Sequence, residues 1–125
     1  SLPTNLMFRS LFIADSTLNE VTPDLAESYE VSEDGLTYTI TLKDGLKWSD
    51  GEPLTADDVL WSIDAALQTT QVNAIYTSAF KKIADKSAEG NVITLTLSEP
   101  YSSLPQILSQ FAILPKHSLE NMPVL

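Results

Sequence analysis

Apolar and hydroxyl residues alternate most sharply at Leu36, Tyr38, Ile40 and Leu42, which are interleaved with Thr37, Thr39 and Thr41. A period of two places the apolar members on one face of a strand and the threonines on the other. Upstream, Tyr29 and Val31 lead into Ser32-Glu33-Asp34-Gly35. Asp-Gly supplies the positive φ of a tight turn, so the segment reads as a β-hairpin with Tyr29 and Tyr38 on its core side. Asp44-Gly45 and Asp50-Gly51 punctuate the next stretch in the same way, around Leu46-Lys47-Trp48-Ser49.

The pattern then changes period. Thr55 stands three residues before Asp58 and immediately ahead of Val59, Leu60, Ile63 and Leu67. A threonine cap, acids in the first turn and an apolar stripe at helical spacing predict a helix, with Trp61 beside the stripe. Further helices are expected over residues 74–80 and 104–111, and a short one over 5–13, where Leu6, Met7, Leu11 and Phe12 fall near helical spacing after Asn5. Residues 19–23 read as a turn, and Pro23 as the first position of a single helical turn through Glu27. Ile93, Leu95 and Leu97 form another strand, expected to pair with residues 83–85 across a loop at 87–91 that contains Gly90. Residues 112–115 read as a brief extended run. Together these elements predict an α+β fold, a small antiparallel sheet with a β-hairpin packed against several short helices. Residues 1–125 are expected to form a single α/β unit, and both chain ends read as cuts from something larger.

Composition narrows the function. Hydrophobic residues make up 43% and charged residues 19%, which is the globular range. A formal net charge of -10 repels phosphate backbones and anionic membrane surfaces, so nucleic acid is a poor partner. The absence of cysteine removes disulfides, thiolate metal sites and cysteine nucleophiles. No apolar run approaches the ~20 residues needed to cross a bilayer. The glycines at 35, 45, 51 and 90 form neither a nucleophile elbow nor a phosphate-cradling loop, so those enzyme classes drop out.

His117 is the only imidazole and lacks the paired spacing of a zinc site; it reads as a surface histidine. Asp50, Glu52, Asp57 and Asp58 miss the alternation of a calcium loop, and turn and cap roles account for the three aspartates. Neither metal nor cofactor is expected. Of the aromatic residues Trp48, Trp61, Tyr29, Tyr38, Tyr76 and Tyr101, Tyr76 is least constrained by its neighbours and is the candidate ligand contact.

With these elements in place, four blocks stand out in order. They are Pro23-Asp24-Leu25-Ala26-Glu27-Ser28-Tyr29-Glu30-Val31-Ser32-Glu33-Asp34-Gly35-Leu36-Thr37-Tyr38; Leu42-Lys43-Asp44-Gly45-Leu46-Lys47-Trp48-Ser49-Asp50-Gly51-Glu52-Pro53-Leu54-Thr55-Ala56-Asp57-Asp58-Val59; Leu95-Thr96-Leu97-Ser98-Glu99-Pro100-Tyr101; and Leu114-Pro115-Lys116-His117. The run closely resembles the extracellular solute-binding proteins of dipeptide, oligopeptide and nickel ABC importers.

The resemblance implies a two-lobed, non-catalytic receptor that closes on its solute, with a small α/β subdomain attached to the first lobe, and this chain is similar to that subdomain. It further implies a small solute, most simply a peptide, and ABC permease subunits as partners. The implied location is the periplasmic or extracellular face of the cytoplasmic membrane, with any lipid anchor outside this segment. On that reading the segment is mainly structural, with few ligand contacts. Tyr76, within Ala74-Ile75-Tyr76-Thr77-Ser78, lies where some oligopeptide binders place a ligand-facing tyrosine. The alternative from a different class is a self-contained protein-interaction module that uses an exposed strand edge.

Overall fold

The computed structural model describes residues 10–15, 20–48, 50–68 and 74–116. Two hairpins build its main sheet. The first joins β3 (Ala26–Val31) to β4 (Thr37–Leu42), and the second joins β5 (Ile83–Glu89) to β6 (Val92–Leu97). They meet through β4 and β6 to give the antiparallel order β3-β4-β6-β5. Between the hairpins the chain forms α1 (Ala56–Leu67) and α2 (Ala74–Phe80), and after them α3 (Leu104–Gln110). A separate two-stranded ribbon, β1 (Phe12–Asp15) with β2 (Glu20–Pro23), leads into β3.

The period-two pattern lands as expected. Tyr38, Ile40 and Leu42 on β4, with Ile93, Leu95 and Leu97 on β6, are buried against the helices. Val59 and Ile63 of α1, Phe80 of α2 and Leu104 and Leu108 of α3 close the same core. The register sets Thr37 opposite Thr96 and Thr39 opposite Thr94, so the outer face of the sheet is a ladder of half-buried threonine pairs.

The first hairpin turn is fixed locally. Gly35 N–H donates to Ser32 O at 2.9 Å, Ser32 N–H to Thr37 O at 2.9 Å, and Leu36 N–H to Asp34 Oδ1 at 3.0 Å. Gly35 has φ +75, and a Cβ there would lie 3.3 Å from Pro100 Cβ. The left-handed backbone favours glycine there, and a Cβ would also crowd Pro100.

Four expectations need correction. Phe12 begins strand β1 and does not end a helix; it is 1% exposed while Ile13 is 54% exposed, the alternation of an extended chain. Ser10 and Leu11 are not helical either, and residues 5–9 of the expected helix lie outside the described residues. Residues 20–23, read as a turn, form β2, and Pro23 opens no helical turn, because Asp24 and Ala26 donate their amides to Leu11 O at 3.0 and 3.1 Å and the chain bends directly into β3. Pro23 costs nothing at that strand end. β5 runs to Glu89, four residues beyond the expected pairing, and a two-residue link at Gly90-Asn91 replaces the longer loop. Tyr29 is on the core side, edge to face with Phe12 at 5.1 Å, but remains 36% exposed, because β3 is the last strand of the sheet.

Candidate functional site

The N-terminus of α1 holds the most connected polar group among the described residues. Thr55 and Asp58 form a capping box in which Thr55 N–H donates to Asp58 Oδ2 at 3.0 Å. The same oxygen accepts from Trp48 Nε1–H at 3.2 Å, and Oδ1 accepts from Lys116 N–H at 3.0 Å. Asp58 is 5% exposed and Trp48 5% exposed, so these bonds are made out of water, where an unpaired carboxylate is costly. One turn along the helix, Ser62 Oγ donates to Asp58 O at 2.8 Å and accepts from Leu114 N–H at 2.8 Å. Asp58 and Ser62 together pin residues 114–116 to α1. The spacing of Thr55 and Asp58 signalled the cap; nothing in the sequence signalled partners 10 and 58 residues away.

Tyr76 sits on α2 in an aromatic corner with Phe80 and Phe111. Its ring is 5.4 Å from that of Phe111 and 6.3 Å from that of Phe80, and Phe80 and Phe111 meet edge to face at 4.9 Å. Its hydroxyl donates to Gln110 O at 2.7 Å, where α3 ends and leaves carbonyls without helical partners. Tyr76 thus presents a half-buried ring and a surface hydroxyl already joined to one acceptor.

The other residues weighed from sequence have local roles. Asp50 Oδ1 accepts from Glu52 N–H at 3.0 Å in the turn at Gly51, Asp57 is exposed in the first turn of α1, and Asp58 serves as described. Among the described residues no three His, Asp or Glu side chains gather as metal ligands. His117 lies outside the described residues.

Shallow hollows mark the surface of the described residues. One of about 350 Å³ is lined by Ser87, Glu89, Val92 and Thr94 on the outer face of the sheet. Another, of about 230 Å³, lies between the β3–β4 hairpin and the start of α3, against Tyr29, Val31, Tyr38, Pro100, Tyr101 and Pro105. Neither is a deep cleft with converging polar groups.

The described residues form an α+β wedge built round a threonine-laddered sheet, with shallow hollows at its surface. The chain belongs to the bacterial extracellular solute-binding proteins, family 5, whose "Middle" model matches residues 20–123. The dipeptide-binding protein of Lactococcus lactis subsp. cremoris is 36% identical over 101 residues, covering 69% of this chain and 18% of that protein. Among solved structures, NikZ of Campylobacter jejuni in complex with Ni(L-His) superposes with a TM-score of 0.80 at 37% identity, covering 94% of this chain and 23% of that one. The oligopeptide-binding protein AppA of Bacillus subtilis, bound to a nonapeptide, gives 0.80 at 30% identity over 95% of this chain and 24% of its own. The chain spans about a fifth of the length of the curated relatives it matches.

Proposed function

We propose that residues 1–125 form one subdomain of the first lobe of a non-catalytic receptor that captures a small solute, most simply a peptide, and delivers it to an ABC permease. On this reading the receptor works at the periplasmic or extracellular face of the cytoplasmic membrane, and its solute is released by lobe opening rather than by bond chemistry. One observation carries the proposal. A fold that superposes over nearly its whole length on receptors holding a nickel chelate and a nonapeptide makes up only about a quarter of each of them. Peptide is the simplest solute because the similar proteins include a dipeptide-binding protein and a receptor holding a nonapeptide.

Within that reading Tyr76 is the ligand contact of this subdomain. Its ring is fixed by Phe80 and Phe111, so its hydroxyl is held at the surface at low entropic cost. The test is Tyr76→Phe in the full-length protein. Loss of one neutral hydrogen bond, ~1 kcal/mol, predicts roughly fivefold weaker peptide binding in a calorimetric titration. Unchanged affinity removes Tyr76 from the site.

A further inference from the structure

The two edges of the main sheet are finished differently. At β5 the edge is charged, with Asp85, Lys86 and Glu89, and the core-side Lys86 is tied to Asp64 of α1 at 2.6 Å. Charges on an edge strand discourage another strand from pairing with it. At β3 the core-side residues Tyr29 and Val31 are 36% and 43% exposed, although they face the same way as the buried Ile40 and Tyr38 opposite them. Apart from the Ala26 N–H, which donates to Leu11 O, no strand among the described residues pairs with the outer backbone of β3, the last strand of the sheet. Ser32 N–H bonds to Thr37 O, and ladder alternation from that pair turns the amides of Tyr29 and Val31 away from β4. Beside them lies the hollow of about 230 Å³ walled by Pro100, Tyr101 and Pro105.

We propose that the β3 edge and this hollow form the seam on which the remainder of the first lobe docks in the full-length protein, adding an extended segment to β3 and seating an apolar side chain against Tyr29, Val31 and Pro105. This rests on the reading of the chain as one subdomain. The occupant is identified by three observations. The receptors that share this fold carry more than three quarters of their length outside the matched region, so ample chain is tethered nearby. The open amides and the apolar hollow lie side by side, which is what strand addition with side-chain insertion requires. Glu27, Glu30, Glu33 and Asp34 surround the edge, so the docking segment is uncharged or basic.

Hydrogen exchange of the full-length protein and of residues 1–125 alone reads the seam directly. The expected result is exchange of the Tyr29 and Val31 amides at least about tenfold slower in the full-length protein, with the inner amides of Thr39 and Thr94 similar in both. Val31→Lys in the full-length protein erases the added protection. Equal exchange of the edge amides in the two proteins overturns the proposal. So does protection in residues 1–125 alone that grows with concentration, which assigns the edge to a second copy. If residues 1–125 alone show no protection at Thr39 and Thr94, it is autonomous folding that fails. The seam is then decided by wild type against Val31→Lys in the full-length protein: faster edge exchange in the variant supports it, and no change overturns it. A coding sequence that supplies no further lobe would sink the subdomain reading itself, independently of these rates.

Discussion

Asp58 takes N–H groups from Trp48, Thr55 and Lys116, and so ties the turn before α1 and the chain after α3 to one carboxylate. Removing the carboxylate leaves one buried and two part-buried donors unsatisfied, each a desolvation cost of about 1 kcal/mol. Asp58→Ala is therefore expected to lower stability by about 3 kcal/mol, and Asp58→Asn by less, since one oxygen still accepts. Urea unfolding followed by tryptophan fluorescence checks both, and a loss under about 0.5 kcal/mol for the alanine contradicts the role. Asp34 offers a pH test. The Ser32 hydroxyl, first, and the Leu36 amide hold its carboxyl below its ordinary value of 3.8. A depressed folded value means the turn is favoured above the unfolded value and loses that contribution as pH falls through the folded one. The Leu36 amide resonance should titrate with a midpoint below 3.8; a midpoint at or above it contradicts the bonding described. At the same turn, Gly35→Ala meets both a left-handed backbone and Pro100, and is expected to cost about 2 kcal/mol in thermal unfolding, against near neutrality if the turn relaxes.

Elements differ in how far the sequence reveals them, and the reason is how much each relies on its own residues. β4 and β6 are half-buried strands whose alternation is a property of their own side chains, and α1 carries its cap, acids and stripe within 13 residues of chain from Thr55 to Leu67. α2 was legible to the residue. β5 was only half visible because a register shift between Ile83 and Asp85 breaks its period, and its core side carries Lys86, whose charge is accommodated by Asp64. β1 and β2 are four residues each, too short for any period to distinguish strand from helix. They exist because the backbone about Asp24 and Ala26 is captured by Leu11 O, a contact across the chain. Tyr29 was placed on the correct face, yet its exposure depends on strand order, which no local pattern encodes. The candidate site was the least legible feature. Tyr76 stands out in the sequence as the aromatic residue least constrained by its neighbours and by the family resemblance, whereas its bond to Gln110 comes from α3, 34 residues away.

At the scale of the whole molecule, the helices cover one face of the sheet, threonines line the other, and large apolar side chains are left exposed at Tyr29 and Val31 on the β3 edge, at Ile13 on β1 and at Ile75 on α2. A solute receptor needs two walls that converge on a ligand. This fold provides a well-packed wall and no enclosing partner among the described residues, in keeping with its share of about a quarter of the solved receptors it superposes on. The account therefore makes peptide capture a property of the longer protein. Titrating residues 1–125 and the full-length protein side by side with one pool of di- to hexapeptides in a calorimeter puts that directly to the test. Saturable heat from the full-length protein and none from residues 1–125 is the predicted result; tight, saturable binding by the 125 residues on their own contradicts it.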